Sequence, residues 1–309
     1  MISSLLAALV PALILGLGAG VVVAVGYWWR KTSRHRDRRS PLTRDLLRPP
    51  GHSLRGKIAS IDFDIAVDAL SLLAVPLTMY AIHVSQSYFG GVPESGLRIG
   101  ASLLIVVVAE IWIGKHLLRL LKDRRNFALG LDGELATAEE LNQLMLDGCR
   151  VFHDVPIQYG NVDHVVVSPS GVYAVNSKML GKLPKNGGNV EVTVDNATNV
   201  LRFPDRTVQI PIEQLTTEAR CLSDFLTKAV GKQIKAEPML AFVGWFVKDR
   251  IGRGPVYVIN PRNPQRFFIQ NRQVLSDEAV QQVAHQLDQL CRNVEPVFNE
   301  KKGWEDKRV

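Results

Sequence analysis

The N-terminal stretch of this chain places the strongest constraint on its fold, because its first 29 residues carry no charged side chain. The run Ile2–Trp29 can cross about 30 Å of bilayer hydrocarbon at roughly 1.5 Å per helical residue. No basic residues precede it, which is not typical of a cleaved signal peptide. The run ends in Tyr27, Trp28 and Trp29, and aromatic side chains favour membrane interfaces. We therefore expect a first membrane span over residues 2–29.

Two later apolar stretches predict a second span over residues 66–89 and a third over residues 99–118. Pro76 is expected to kink the second span. Basic clusters follow the first span and the third span, and basic segments normally stay in the cytoplasm. This pattern predicts an integral membrane region over residues 1–125, with the N-terminus outside and the basic loop 30–65 inside. It suits a bacterial plasma (inner) membrane.

Two features of the membrane region remain open to more than one interpretation. The basic clusters fit membrane topology, but they could also bind anionic lipid or nucleic acid. Glu110 lies inside the third span, where an acidic residue is a candidate for a transport or gating role. Its place near the cytoplasmic end also allows contact with interfacial water or Lys115.

The distribution of charge gives no support to a nucleic-acid-binding function for the C-terminal part. The chain has a net charge of +7, but residues 1–125 hold 16 Lys and Arg against 8 Asp and Glu. Residues 126–309 hold 21 against 22. The three cysteines lie far apart and match no metal or redox spacing, as expected of free thiols in a reducing compartment.

From about residue 126 the pattern changes to that of a mixed α/β domain, which we place at residues 126–293 with a polar tail at 294–309. A helix is predicted over Asp132–Leu146, with Glu134 close to its start. Apolar segments bounded by turn residues then predict strands and two further helices. These segments are "RVFHDVPI", "VDHVVVS", "GVYAVNSK", the hairpin "VEVTV" and "VLRFP", a helix from Pro211 to about Val230, "MLAFVGWFV" as one central strand, "PVYVI", and a helix capped by Ser276.

The turn Ser-Pro-Ser-Gly at residues 168–171 predicts a hairpin between the second and third strands. In a symmetric register Val165 faces Ala174 and Asp163 faces Asn176. Alternation then puts Asp163, Asn176 and Lys178 on one otherwise apolar face, at the open end of the hairpin. Converging polar side chains at a sheet edge indicate a site, although Asp163 and Lys178 could also form a structural ion pair. His164 falls on the opposite face, where we interpret it as structural.

Several of these motifs resemble the nuclease-related (NERD) domain, which is grouped with the PD-(D/E)XK nucleases. The motifs are Gly130-Leu131-Asp132-Gly133-Glu134, "DHVVV", "PSGV" and the helix start Pro211-Ile212-Glu213-Gln214. The resemblance implies an α/β (α+β) restriction-endonuclease-like core of order αβββαβ, here with an added hairpin and a C-terminal helix. It spans about Leu129 to Val247 and extends toward the C-terminal strand and helix.

The resemblance also implies a Mg²⁺ site for hydrolysis of nucleic acid. Glu134 matches the helix acid of the superfamily, and Asp163 matches the strand aspartate. Lys178 matches a lysine that activates water and stabilises phosphoryl charge, and Gln214 matches a helix glutamine near the site. Asn176 falls where the superfamily has glutamate. Because Mg²⁺ prefers anionic oxygen, the amide predicts weaker metal binding than a carboxylate would give.

Each of these residues also has a purely structural interpretation. Glu134 could stabilise a helix N-terminus, and Gln214 could simply be solvated. Basic residues that follow the site could line a phosphate path or remain solvated, namely Lys182, Lys185, Arg202 and Arg206.

The sequence therefore supports two functions, and it leaves the oligomeric state open. One is a membrane-anchored, Mg²⁺-dependent nuclease on the cytoplasmic face. The alternative is a catalytically degenerate nuclease fold that binds nucleic acid or protein at the membrane.

Overall fold

The computed structural model of the protein describes residues 17, 20–21, 23–28, 42–181, 191–270 and 272–296. The chain divides into two compact units. One comprises Met1–Pro41 and Ala59–Arg124, and the other comprises Leu42–Ile58 and Arg125–Val309. Residues 42–58, which we had placed in the loop of the membrane region, thus belong to the same unit as the C-terminal domain.

Helices and strands alternate along the described residues in the order expected of an α/β domain that follows long apolar helices. The helices are α1 (His52–Tyr88), α2 (Gly96–Asn142), α3 (Ile212–Val230), α4 (Gln265–Phe268) and α5 (Asp277–Cys291), and a 3₁₀ turn (Gln143–Asp147) follows α2. The strands are β1 (Leu46–Leu47), β2 (Arg150–Ile157), β3 (Gly160–Ser168), β4 (Gly171–Lys178), β5 (Glu191–Asp195), β6 (Val200–Arg202), β7 (Thr207–Gln209), β8 (Ala236–Phe242), β9 (Phe246–Ile251), β10 (Tyr257–Ile259) and β11 (Arg292–Val294).

In the first unit, the predicted second span lies in α1 apart from its last residue, Phe89, and the predicted third span lies within α2. Both helices are long and apolar enough to cross a membrane by length and composition, with mean hydropathies of 1.9 and 2.0 over their most apolar 18-residue windows. The predicted first span, residues 2–29, lies largely outside the described residues, so the three-span arrangement is not confirmed. Within α2 the Oε1 atom of Glu110 is buried and finds no hydrogen-bond partner among the described residues.

The second unit is built on a five-stranded sheet of order β10-β8-β4-β3-β2. Strands β2, β3 and β4 form an antiparallel meander, and β8 and β10 run parallel to β4. In the chain, α3 follows β7 and precedes β8. This arrangement of α2, three strands, α3 and β8 agrees with the predicted αβββαβ core.

Helices cover both faces of this sheet, and apolar side chains alternate between them. On one face Val165, Val167 and Ala174 pack against α3 and α5. On the other face Val166 and Val175 pack against the end of α2, the 3₁₀ turn and α4. The predicted hairpin register is confirmed, since Val165 pairs with Ala174 and Val167 with Val172.

The predicted hairpin at β5 and β6 is confirmed, and it belongs to a larger second sheet of order β7-β6-β5-β9. Here one prediction was wrong, because "MLAFVGWFV" is two strands and not one. Gly244 adopts φ of +75°, a left-handed conformation that suits glycine and ends β8. The chain then continues as β9 into the second sheet, while β8 remains central in the first.

The helix that carries Glu134 also differs from the prediction. We expected it to begin near Asp132, but α2 runs without interruption from Gly96 to Asn142. Gly130 and Gly133 lower helix propensity by about 1 kcal/mol each, which is too little to end a helix held by tertiary packing. Glu134 therefore lies far inside α2 and does not stabilise the N-terminus of that helix.

The segment before α1 packs onto the second unit. Strand β1 pairs antiparallel with β11 near the C-terminus. Asp154, on β2, lies beside the first turn of α1 and accepts hydrogen bonds from the Ser53 backbone N–H and hydroxyl at 3.3 and 2.8 Å. It also forms an ion pair with Arg48 at 2.9 Å. This carboxylate, supplied by a distant strand, caps the N-terminus of α1.

Candidate active site

The predicted polar face exists at the open end of the β3–β4 hairpin. One residue beyond the paired strands, the backbone N–H of Asp163 donates to Oδ1 of Asn176 at 3.3 Å. In return, the Ser177 backbone N–H donates to Oδ2 of Asp163 at 2.7 Å. The side chains of Asp163 and Asn176 thus continue the β3–β4 ladder, because each accepts a hydrogen bond from a backbone N–H in place of a backbone carbonyl group. Asn176 is buried, and its carbonyl oxygen faces the backbone of Asp163.

A carboxylate that sequence reasoning did not single out completes this face. The Nδ2 atom of Asn176 donates a short hydrogen bond to Oε2 of Glu218, which is buried on α3. Gln214, one turn earlier on the same helix, donates from Nε2 to Oε1 of Glu218 at 2.8 Å. The predicted residues Asn176 and Gln214 therefore meet at Glu218, which both of them orient.

The other two predicted residues, Lys178 and Glu134, also lie near the end of β4. Lys178 is exposed at the end of β4, and its charge acts on Asp163. Glu134 approaches from α2 because Gly133 allows that helix to lie close to the end of β4. A Cβ atom at Gly133 would lie 2.8 Å from Cβ of Met179, closer than packed carbons allow. The glycine before Glu134 is thus needed for close helix–strand contact.

Glu134 is an acid in an unfavourable environment. Its side chain is buried, and its Oε2 atom has no hydrogen-bond partner among the described residues. Burial, followed by the negative charges of Asp163 and Asp154, raises its pKa to about 8. The Gly51 backbone N–H and the charge of Lys57 oppose this shift without cancelling it. These effects favour the protonated form of Glu134, and a bound cation could replace that proton.

Asp163 behaves similarly. Burial raises its pKa to about 7, although the hydrogen bond from the Ser177 backbone N–H favours the charged form. The carboxylates of Glu218 and Asp154 raise the pKa further, and Lys178 lowers it. Several carboxylates therefore act on one another over a small region, which is typical of functional sites.

On the opposite face of the hairpin, a chain of hydrogen bonds runs behind the site. Ser177 Oγ lies 2.9 Å from Nε2 of His164, the two Nδ1 atoms of His164 and His153 lie 2.9 Å apart, and Nε2 of His153 lies 3.0 Å from Oδ1 of Asn142. One pair of neutral tautomers satisfies every contact, with donation from Ser177 toward Asn142. Burial lowers the pKa of His153 to about 4. The structural interpretation of His164 agrees with this arrangement.

The residues proposed as a phosphate path are engaged elsewhere or lie outside the described residues. Arg202 forms an ion pair with Asp195 at 2.6 Å, and Arg206 donates to the backbone oxygen of Gly181. Lys182 and Lys185 fall in the segment 182–190, which is outside the described residues. The described arginines of this set are therefore held by intramolecular contacts.

The donor set fits a hard divalent cation, with one qualification. Among the described residues no group of three or more Asp, Glu, His or Cys side chains lies close enough together to hold a metal ion. Mg²⁺, however, usually keeps several waters and binds only one or two carboxylates together with substrate phosphate. The unpartnered buried oxygen of Glu134, beside an Asp163 whose pKa is raised, supplies such ligands. The residues thus suit an open, water-rich site.

Comparison with known families gives a match in this part of the chain. Residues 129–243 match the nuclease-related domain, NERD. The nuclease-related domain covers less than half of the chain, but it includes Glu134, Asp163, Asn176, Lys178 and Gln214. Comparison with curated proteins and with solved structures found no match.

Two acids at the site of the nuclease-related domain were missed, and the sequence held a signal for one of them. Glu218 lies in the apolar stripe of α3, between Leu215 and Leu222, where a charged residue is out of pattern. An acid in a buried stripe indicates a partner, here Asn176. Asp154 follows His153 within a strand, and only the fold shows that it caps α1.

Proposed function

We propose that this protein is a membrane-anchored, Mg²⁺-dependent phosphodiesterase acting on nucleic acid, in which Glu218 takes the place of the acid that position 176 lacks. The supporting observation is the hydrogen bond from Asn176 to Glu218. It brings a carboxylate from α3 to the point on the hairpin where the superfamily has its glutamate. In this proposal a neighbouring helix would supply the third acid.

The count of charges supports this proposal. An amide at position 176 alone would leave Glu134 and Asp163 as the acids of the site. Glu218 adds a third carboxylate nearby, although the three side chains are not gathered into one metal-binding group among the described residues. Asp163 and Glu218 are close enough for one to raise the pKa of the other. Mutual repulsion of this kind is relieved by a divalent cation.

In this proposal each side chain has a defined part. Glu134 and Asp163 would hold Mg²⁺, with Glu218 contributing directly or through water. When bound, Mg²⁺ stabilises negative charge on the phosphate and lowers the pKa of a coordinated water. Lys178, exposed at the strand end, would donate to the phosphate oxygens and the attacking water. Gln214 and Asn176 act as positioning residues, because both donate to Glu218.

Membrane anchoring is part of the proposal and rests on α1 and α2. None of the most apolar window of α1 and only 6% of that of α2 is buried in the protein. A core helix of a soluble protein would bury this surface, whereas a bilayer would cover it. We propose an integral inner-membrane protein, with the N-terminus outside and the nuclease-related domain in the cytoplasm.

A second candidate function is binding of nucleic acid without cleavage. The observation in its favour is that both carboxylate oxygens of Glu218 already accept hydrogen bonds, from Asn176 and Gln214. If these bonds persist, Glu218 is a structural residue and the site keeps only two acids. Metal binding separates the two candidates.

The test uses the full-length protein in detergent and measures Mn²⁺ binding by calorimetry and cleavage of single- and double-stranded DNA. The nuclease proposal expects Mn²⁺ binding that tightens as pH rises through about 7 to 8, because the cation replaces protons on Glu134 and Asp163. Glu134→Gln and Glu218→Gln should each weaken Mn²⁺ binding by 10-fold or more, an order-of-magnitude expectation.

Glu213→Gln is the matched control, since Glu213 is an exposed acid on the same helix as Glu218. Lys178→Ala should abolish cleavage while leaving Mn²⁺ binding intact. A wild type that binds DNA but never Mn²⁺, and that gains cleavage only as Asn176→Glu, would establish the second candidate instead.

A further inference from the structure

A cleft of about 830 Å³ opens beside the candidate site, within the second unit. Two smaller clefts, of about 470 and 330 Å³, share Tyr257 with it. The main cleft lies at the carboxyl edge of the parallel strands, because its lining includes Val243, directly after β8, and Asn260, directly after β10. The Val243 backbone N–H donates to the carbonyl oxygen of Lys178 at 3.2 Å, so the cleft begins next to the site.

The side chains lining this cleft, which we call the basic cleft, combine cations with aromatic rings. Four cations line it against the two acids Glu139 and Glu140. They are Lys248, Arg250, Arg262 and Arg266. All four lie beyond residue 243, where the match to the nuclease-related domain ends. This part of the protein is therefore not accounted for by the family.

Two aromatic rings of the cleft are unusually exposed. Phe246 is 59% exposed and Tyr257 is 48% exposed, although both belong to strands of a folded domain. The Arg250 guanidinium lies over the Tyr257 ring, 4.8 Å from its centroid, and donates to the Val258 carbonyl oxygen at 2.7 Å. Phe267 packs edge-on against Tyr257. An exposed phenylalanine next to an arginine–tyrosine stack offers flat surfaces rather than a closed pocket.

The backbone around these side chains is fixed by hydrogen bonds. Asn260 donates to the Trp245 carbonyl oxygen at 2.8 Å and accepts from the Arg262 backbone N–H at 2.9 Å. Trp245 itself is buried. The loop that presents Arg262 is thus tied to the base of β9, which presents Phe246.

From these features we propose that the basic cleft binds single-stranded nucleic acid and leads it to the candidate site. Arg262 and Arg266 would contact phosphates, whereas Lys248 is held in an ion pair with Glu191 at 3.0 Å. Phe246 and Tyr257 would stack on unpaired bases. A duplex would not bind in this way, because its bases already stack on one another and cannot stack on an aromatic ring of the protein. This inference deepens the proposed function, since it names the substrate class of that site.

The test measures fluorescence anisotropy of a labelled oligothymidylate of about 16 nucleotides. The full-length protein is used in detergent, with EDTA present so that cleavage cannot interfere. Phe246→Ala should weaken binding by roughly 5- to 100-fold, as loss of one stacked base predicts. Phe246→Trp should retain binding. The double variant Arg262→Gln/Arg266→Gln should reduce the slope of log affinity against log salt by about 1.4.

Matched controls carry the same changes elsewhere on the second unit. Tyr159→Ala removes a ring that is 73% exposed on the β2–β3 turn, and Lys232→Gln/Lys235→Gln removes two exposed lysines. Neither should change binding. Equal affinity for a duplex, or binding that Phe246→Ala leaves unchanged, would overturn the proposal.

The outcomes also separate this inference from the proposed function. If oligothymidylate binding depends on Phe246 but the protein binds no Mn²⁺ and cleaves no DNA, the proposal for the basic cleft is supported and hydrolysis is rejected. If the protein cleaves DNA with Mn²⁺ but Phe246→Ala leaves oligothymidylate binding unchanged, hydrolysis is supported and the proposal for the basic cleft is rejected.

Discussion

The amide of Asn176 donates a hydrogen bond to the carboxylate of Glu218, a residue 42 positions away in the chain. The contact joins the end of a central strand to the inner face of α3. Its geometry requires a donor on the strand and an acceptor on the helix. That requirement makes the pair testable by exchange of the two functional groups.

Asn176→Asp should therefore destabilise the protein, because it places two carboxylates at hydrogen-bonding distance in a buried setting. We expect a loss of about 1–3 kcal/mol in the free energy of unfolding at pH 8. The double variant Asn176→Asp/Glu218→Gln should recover most of it, since the glutamine can now donate to the aspartate. Urea denaturation in detergent, followed by tryptophan fluorescence, measures both. An Asn176→Asp variant as stable as wild type would show that the contact does not form.

The two glycines before Glu134 should respond oppositely to alanine. At Gly133 a methyl group would meet Met179 at 2.8 Å, so we expect Gly133→Ala to cost about 1–3 kcal/mol. At Gly130 the nearest atom, on Leu54, lies at an ordinary 3.5 Å, and alanine should stabilise the helix by up to about 1 kcal/mol. Thermal denaturation of the two variants compares them directly. Equal effects at both positions would argue against close packing at Gly133.

Asp154 should be among the most sensitive positions of the second unit. Asp154→Asn removes the charge that pairs with Arg48 and caps α1 at Ser53. We expect a loss of about 3 kcal/mol, because one partner of a buried ion pair is left uncompensated. Asp288→Asn breaks the more exposed ion pair between Asp288 on α5 and Arg292, the residue that follows this helix. It should cost no more than about 0.5 kcal/mol. Similar losses in the two variants would contradict this prediction.

The histidine chain predicts a defined loss of stability in acid. The pKa of His153 is about 4 in the folded protein and about 6.5 in the unfolded chain, so the unfolded state binds more protons between these values. The contribution of neutral, buried His153 to the free energy of unfolding is therefore complete above pH 6.5. It decreases by up to about 3 kcal/mol as pH falls toward 4. His153→Gln should flatten this part of the stability profile. His285→Gln, at an exposed histidine on α5, should leave the profile as in wild type.

The sequence determined the parts of this protein that depend on local pattern. Alternation and the Ser-Pro-Ser-Gly turn fixed the β3–β4 register, and with it the meeting of Asp163 and Asn176. Capping signals located α3 and α5. Local patterns also had limits, because glycines within α2 did not end that helix, while Gly244 did end β8. The difference lies in backbone conformation, which is left-handed at Gly244 but not at Gly130 or Gly133.

Tertiary structure alone decided what these elements bring together. The register of β4 depends on neighbouring residues, but the contact between Asn176 and Glu218 depends on how α3 packs across the sheet. Asp154 reaches α1 only because the segment before that helix lies on the domain. The basic cleft likewise forms from α2, β9 and the loops after β8 and β10. Contacts between residues far apart in sequence carry no local periodic signal, and they appear only when the whole core is packed.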